Sequence, residues 1–190
     1  MQQRKIMAAW LSLLSLAGCG SMQLDDFEET APPLDLYEYF QGRIVAHGLF
    51  EDRFNDVRRR MLVTIDGRVT EDDVLVLDER FFYSDGETDT RVWRIERLGP
   101  GRYRGTADDV VGVAEGRAVG SALTWRYKLE LPVGDDVWTV GFEDWLFLQP
   151  GDVLVNKAIV RRWGLEIGEV YLTMIKDPEG RAAKPDAWQR

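Results

Sequence analysis

The side chains available for chemistry in this 190-residue chain are mainly carboxyl groups and aromatic rings, because it has one cysteine, Cys19, and one histidine, His47. A single residue of each kind excludes metal clusters built from His and Cys and nucleophilic pairs of Cys with His. A serine triad would have to use His47, and no G-x-S-x-G turn leads into a helix. We therefore expect no metal, no cofactor and no catalytic residue of these classes.

Several acidic residues occur as adjacent pairs, among them Asp108-Asp109 and Glu143-Asp144. Adjacent residues of a strand point to opposite faces, so such a pair does not form a catalytic dyad by itself. Asp144 shares its face with apolar residues such as Phe142, and a charge there needs a partner, most simply an arginine that binds both oxygens. Asp144 is then either a paired strut in the core or an acid that faces a ligand.

Asn156 occupies a similar position, since its neighbours on the same face are apolar. A buried amide needs a hydrogen bond, from the backbone or from the polar head of a ligand. The aromatic residues of the predicted strands serve either as ordinary core or as the wall of an apolar ligand site. The candidate ligand-binding residues are Trp93, Trp125, Tyr127, Asp144, Trp145 and Asn156.

Strands must position these side chains, because apolar residues alternate with polar ones from about residue 41 to residue 176. The alternation is cleanest in 121–131, where Leu123, Trp125, Tyr127 and Leu129 share one face. Asp66-Gly67, Asp85-Gly86 and the Gly-Pro-Gly at 99–101 are turn signals. A helical turn over 35–40 is expected to lead into the first strand.

About 8–10 strands joined by short turns predict an all-β fold, an antiparallel up-and-down β-barrel whose closure leaves no exposed edge. A barrel of this size can hold one small ligand. Asp108 and Asp109 would then lie either at the mouth of the barrel or in a solvated loop. Glycines at 112, 116, 120, 141, 164 and 168 are expected to mark bends and bulges of the curved sheet.

The N-terminus carries a different kind of signal. A basic start at 1–5 precedes an apolar run at 6–17, which is too short to cross a bilayer and has the length of a signal-peptide core. The run ends in Leu-Ala-Gly-Cys at 16–19, which resembles the bacterial lipobox and implies cleavage before Cys19 and acylation of that residue. The alternatives are a plain secretory signal with an incidental cysteine and a buried free cysteine.

Gly20 and Ser21 follow Cys19. In lipoproteins of Gram-negative bacteria an aspartate after the cysteine signals retention at the inner membrane, so the resemblance to the lipobox implies the outer membrane, with the domain facing the periplasm. The predicted organisation is a signal peptide at 1–18, an acylated cysteine with a flexible tether at 19–36, a barrel at 37–177 and a disordered tail at 178–190. The net charge of −9 becomes more negative once Arg4 and Lys5 are removed, which excludes a nucleic-acid partner and leaves membrane attachment to Cys19.

Four long runs resemble the DUF3833 family of bacterial lipoproteins. They are "YFQGRIVAHGLFEDRF" at 39–54, "LDERFFYSDGETDTRVWRI" at 77–95, "TADDVVGVAEGRAVGSALTWRYKLELPV" at 106–133 and "FEDWLFLQPGDVLVNKAIVRRWGLEIGEV" at 142–170. The resemblance implies a lipocalin-like barrel and no established activity. Some members are encoded near genes for fatty-acid modification, which points towards lipids.

Three functions remain open. The first is a non-catalytic barrel, anchored through Cys19, that binds a lipid or another hydrophobic small molecule. The second is a structural or assembly lipoprotein with a packed barrel that acts on a protein partner of unknown identity through its surface. The third is a lipid-modifying enzyme that uses Asp144 or Asp108 with nearby arginines. A carboxyl pKa strongly raised in a pocket would favour the third.

Overall fold

The computed structural model describes residues 22–180. The predicted signal peptide, Cys19 and the last ten residues of the predicted tail lie outside this range. Within it, no helix is both long and apolar enough to cross a bilayer.

Ten strands form one closed antiparallel barrel in which each strand pairs with its neighbours in sequence and β1 pairs with β10. A 3-10 helix at Leu24–Phe27 and the helix α1 at Leu36–Tyr39 precede them. The strands are β1 Gly42–Asp52, β2 Val57–Val69, β3 Val74–Tyr83, β4 Thr88–Gly99, β5 Arg102–Thr106, β6 Ala114–Val119, β7 Ala122–Val133, β8 Asp136–Gln149, β9 Val153–Arg162 and β10 Leu165–Lys176. The predicted all-β up-and-down barrel is confirmed, at the upper end of the expected number of strands.

The alternation of side chains in the sequence is the alternation between the inside and the outside of the barrel. Leu123, Trp125, Tyr127 and Leu129 of β7 all face the interior, whereas Arg126 between them is exposed. Because the ladder closes within residues 22–180, the described strands leave no unpaired edge. We therefore regard this part of the chain as an independent folding unit.

Helix α1 and its C-cap residue Phe40 close one end of the barrel, and we call residues 36–40 the plug. The carboxylate of Asp35 caps it by accepting hydrogen bonds from the backbone N–H groups of Tyr37 and Glu38, at 2.8 and 3.3 Å. The Tyr37 hydroxyl lies 2.8 Å from the carbonyl oxygen of Ile95, and the Tyr39 hydroxyl lies 3.1 Å from that of Met174. The helix is thus tied to β4 on one side and to β10 on the other. The predicted helical turn over 35–40 is confirmed.

The predicted turn at Asp66-Gly67 is wrong, because both residues lie inside β2. Gly67 is needed there for a different reason. A Cβ atom at Gly67 would lie 1.7 Å from the carbonyl oxygen of Phe40, where the plug crosses the strand. The glycine leaves room for the plug at the barrel end. The other two predicted turns are confirmed, because Asp85-Gly86 lie between β3 and β4, and Pro100-Gly101 lie between β4 and β5 directly after Gly99, the last residue of β4.

We expect Gly67→Ala to destabilise the fold by about 1–3 kcal/mol, since the added methyl group forces the plug backbone away from β2. The midpoint of urea unfolding measures the effect. Gly141→Ala is the matched control, because a Cβ atom there meets its nearest neighbour at 3.9 Å. Equal midpoints for the two variants would show that the plug does not need this glycine.

The part of the predicted tether that the structure describes lies against the outer wall of the barrel and is not a free arm. Leu24 is buried with Ala122 and Trp145, and Phe27 packs beside them. Further along, the backbone N–H of Leu34 donates to the carbonyl oxygen of Gly120 at 2.8 Å. The acidic composition suggested flexibility, but a few apolar residues in this segment suffice to cover an apolar patch on the wall.

Candidate ligand site in the barrel interior

The barrel encloses a cavity of about 460 Å³. Leu36 and Phe40 of the plug line one end of it, and at the other end the lining reaches the exposed residues Asp89 and Val133. The interior is therefore closed by the plug and open at the opposite end, which we call the mouth. Most of the lining is apolar, and the volume lies within the range of roughly 300–1,000 Å³ that is typical of small-molecule sites.

Trp125 covers the part of the wall formed by β5 and β6. Its indole ring packs on Gly105 and Gly116, where an added Cβ atom would lie 2.5 and 2.3 Å from ring carbons. The ring also meets Trp93 edge to face, with centroids 5.7 Å apart. Trp125 thus lines the cavity, and its ring packs directly against the backbone at two positions where any side chain larger than that of glycine would clash with it.

A group of charged side chains lies inside this apolar wall. Arg91 of β4 binds Asp109 of the loop between β5 and β6 with both oxygens engaged, Nη2 at 2.7 Å from Oδ2 and Nε at 3.1 Å from Oδ1. Its Nη1 atom is 4.0 Å from the carboxylate of Glu79 on β3. Although burial lowers the pKa of Arg91, the hydrogen bond with Asp109 and the charge of Glu79 raise it overall, so this guanidinium stays charged.

Asp144 lies in the same interior without a cation bound to it. The Tyr127 hydroxyl donates a long hydrogen bond of 3.4 Å to its Oδ2 atom, and Oδ1 is buried with no hydrogen-bond partner among the described residues. Asp144 lines the cavity and is half-buried. The predicted arginine partner is therefore wrong, since the two-oxygen contact of Arg91 goes to Asp109.

Burial sets the protonation of these acids. It raises the pKa of Asp144 to about 8, against the lowering effects of the Tyr127 hydrogen bond and of Arg91. It also raises the pKa of Glu79 to about 7, although the charge of Arg91 opposes the shift. Burial and the nearby charge of Asp144 raise the pKa of Tyr127 well above its usual range. Near neutral pH both carboxyl groups are thus able to give or take a proton.

Aromatic rings flank this polar group. Tyr127 and Phe142 stack with centroids 5.1 Å apart and an interplanar angle of 5°, and Trp93 meets Tyr127 edge to face at 5.3 Å. The guanidinium of Arg91 lies 5.9 Å from the Trp93 ring. The carboxyl groups therefore lie beside the faces and edges of aromatic rings.

Five of the six predicted ligand-binding residues line the cavity, namely Trp93, Trp125, Tyr127, Asp144 and Asn156. The Asn156 amide nitrogen lies 3.4 Å from the carbonyl oxygen of Trp145, a weak hydrogen bond to the backbone. The prediction for Trp145 does not hold for this cavity, because its side chain packs with Leu24 on the outer wall. Trp145 follows Asp144 directly, and adjacent strand residues face opposite sides.

The prediction missed Glu79 and Arg91, although the same alternation marks them. Glu79 stands between Leu77 and Phe81 on the inward face of β3, and Arg91 precedes Trp93 by two residues on β4. Asp108 is exposed and Asp109 is the partner of Arg91, so these two adjacent acids of the loop between β5 and β6 have different surroundings.

The mouth carries exposed apolar side chains on three neighbouring hairpins. The exposed fractions are 67% for Phe54, 68% for Val137, 84% for Trp163 and 65% for Leu165. The guanidinium of Arg162 lies between two rings, 3.4 Å from the centroid of Trp138 and 4.0 Å from that of Trp163. Trp138 lines the cavity, so the exposed surface is continuous with the interior.

His47 is exposed on the outside of β1, away from these groups. Within residues 22–180, no three or more His, Cys, Asp or Glu side chains are grouped in a way that could hold a metal ion. The chemistry that the described residues offer inside the barrel is apolar contact, hydrogen bonding and proton exchange through Asp144 and Glu79.

A family model described as a protein of unknown function, DUF3833, matches residues 13–176. The matched range includes all ten strands, the plug and every residue that lines the cavity. No curated protein matches the chain. The extent of the family match shows that this chain belongs to the DUF3833 family.

Proposed function

We propose that this chain is a non-catalytic binding protein, anchored through an acylated Cys19 at the outer membrane and facing the periplasm, whose barrel holds a lipid or another hydrophobic small molecule. The observation that carries the proposal is the cavity of about 460 Å³, which is lined mainly by apolar side chains and by a few polar groups. Sites for small apolar ligands have this composition.

The cavity also separates this proposal from a structural lipoprotein with a packed barrel. A protein that acts only through its surface gains stability from a filled core, because empty apolar space forfeits contacts between side chains. Here the interior is lined but not filled, from the plug to Val133 at the mouth. The space is what a bound molecule would use.

In this proposal the acylated Cys19 and the apolar mouth of the barrel both lie at the membrane surface. Two or three acyl chains on Cys19 would hold the protein at a bilayer firmly. The exposed Phe54, Trp163 and Leu165 border the cavity entrance, and Trp is well suited to the boundary between water and lipid. A hydrophobic ligand would then pass between the bilayer and the barrel with little exposure to water.

Native mass spectrometry with lipid extraction tests the proposal on two samples, the membrane-extracted protein and a soluble form that begins at Gly20. We expect the soluble form to carry one lipid-like molecule that denaturation releases. The mass of the membrane-extracted protein reports the acyl chains on Cys19. A soluble form that runs at its bare mass, and takes up no added lipid, would overturn the binding function.

We expect Ala158→Phe to weaken binding of a twelve-carbon alcohol by about tenfold or more, because Ala158 lines the cavity and the added ring occupies ligand space. Titration of intrinsic tryptophan fluorescence measures the affinity. Val155→Phe on the outward face of the same strand is the matched control and should leave it unchanged. Equal affinities for the two variants would place the ligand outside the barrel.

A second candidate function is acid–base catalysis on a lipid-like substrate. It is favoured by the pKa values of about 8 for Asp144 and about 7 for Glu79, which burial raises inside a cavity. Asp108, which the sequence offered as an alternative acid, is exposed. Chemical identity of the bound molecule before and after incubation with the protein distinguishes catalysis from storage, since only an enzyme would alter it.

A further inference from the structure

The charged side chains that line the cavity include more unpaired acids than unpaired arginines. Among the described lining residues, the charged ones are Arg59, Glu79, Asp89, Arg91 and Asp144. Arg59 lies at the mouth and is paired with Asp85 and Glu87 of the hairpin between β3 and β4. Arg91 is bound by both oxygens of Asp109. The surplus inside the barrel is therefore acidic.

Asp144 is the acid with the least satisfied environment. Its Oδ2 atom accepts one long hydrogen bond from Tyr127, and its Oδ1 atom is buried and unpaired among the described residues. Leaving a buried oxygen unpaired costs free energy in a medium of low dielectric constant, and such atoms in native proteins commonly have a functional reason. A positively charged group is the partner that would relieve the cost most.

The surroundings of Asp144 also suit a cation. Tyr127, which contacts Asp144, is stacked on Phe142 and is met edge-on by Trp93. Faces of aromatic rings attract ammonium groups, and the attraction is larger where water is excluded. A carboxylate beside several rings is the arrangement that binds organic ammonium ions.

From this geometry we infer that the ligand of the cavity is an amphiphile with a cationic head, a protonated amine or a quaternary ammonium group. The head binds the carboxylate of Asp144 beside Tyr127, and the apolar tail occupies the rest of the cavity. The inference rests on the proposed binding function and names the chemical class of the ligand.

The binding of such a ligand depends on pH in a defined direction. The groups that act on Asp144 from the surrounding strands are Tyr127 on β7, Arg91 on β4 and Glu79 on β3, with Asp109 bound to Arg91. Tyr127 and Arg91 keep their protonation near neutral pH, since both pKa values are raised. Asp144 and Glu79 have pKa values of about 8 and about 7, so a cation must displace a proton below pH 8.

Binding of three twelve-carbon probes to the soluble form tests the inference: dodecyltrimethylammonium, 1-dodecanol and dodecanoate, each below its micelle concentration. We expect the ammonium probe to bind at least about tenfold more tightly than the alcohol at pH 8, and dodecanoate to bind most weakly. The affinity for the ammonium probe should fall by up to about tenfold per pH unit towards pH 6, while that for the alcohol stays constant.

Asp144→Asn should remove the preference for the ammonium probe and its pH dependence, and leave the alcohol bound. Asp108→Asn, which changes an exposed acid, should retain both. If the alcohol binds as tightly as the ammonium probe, or dodecanoate binds more tightly, the inference is overturned while the binding function stands. If none of the three probes binds, the binding function fails as well.

Discussion

Replacing Asp144 with asparagine is expected to stabilise the protein by on the order of 4 kcal/mol at pH 7. The reason is the pKa of Asp144, which burial raises from 3.8 in the unfolded chain to about 8 in the folded protein. Between these values the unfolded chain holds fewer protons than the native protein, so the free energy of unfolding falls as the pH rises. The penalty starts near pH 4, grows up to pH 8 and is constant above it. Asparagine keeps the shape of the side chain and carries no charge, so the penalty disappears.

Urea unfolding near pH 5 and near pH 8 measures this effect in the wild-type protein and the variant. We expect the wild-type protein to lose stability between the two values, and Asp144→Asn to lose much less. Part of the decline remains in the variant, because burial also raises the pKa of Glu79 to about 7. Asp108→Asn is the control for a change of net charge at an exposed position. A pH dependence that is the same in all three proteins would contradict the assignment to Asp144.

A stabilising substitution at a buried acid is informative about function. Natural proteins keep costly polar groups in their interior chiefly where a site requires them. Asp144 is held at a costly position beside Tyr127, inside a cavity large enough for a ligand. Asp144→Asn is thus expected to raise the free energy of unfolding and to lower the affinity for the ammonium probe. The unfolding experiment and the ligand experiment therefore test the same residue in opposite directions.

The fold could be predicted from the sequence because a barrel wall repeats a simple pattern. Inward positions of β7 such as Leu123, Trp125 and Tyr127 are apolar or aromatic. The alternate positions from Arg126 to the end of the strand face outward and are exposed. The turn at Asp66-Gly67 could not be predicted correctly, since a glycine that relieves a contact with Phe40 looks the same in sequence as a glycine in a hairpin. That contact is set by where the plug crosses the barrel end.

The site could be predicted only in part, for a related reason. Alternation shows which face a residue occupies, and it correctly placed Tyr127, Asp144 and Asn156 inside the barrel. It does not show which residues of strands and loops come together in space, so the sequence does not predict the pair of Arg91 with Asp109, which lies in the loop between β5 and β6. The same alternation shows that Trp145 and Asp144 cannot both face the cavity, because adjacent residues of a strand point to opposite faces.

Arg91→Met is expected to destabilise the protein by about 3–5 kcal/mol near pH 8, the opposite sign from Asp144→Asn, because it leaves Asp109 and Glu79 without their cation. The loss should be smaller near pH 5, where Glu79, with a pKa of about 7, is protonated and needs no counter-ion. Urea unfolding at both pH values measures the change, and Arg94→Met on the exposed face of the same strand is the matched control. Adding Asp109→Asn to Arg91→Met should restore part of the loss, since it removes one of the two stranded carboxylates. If Arg91→Met and Arg94→Met unfold alike, the interior charges are not coupled through Arg91, and the acidic surplus would have to be balanced in another way.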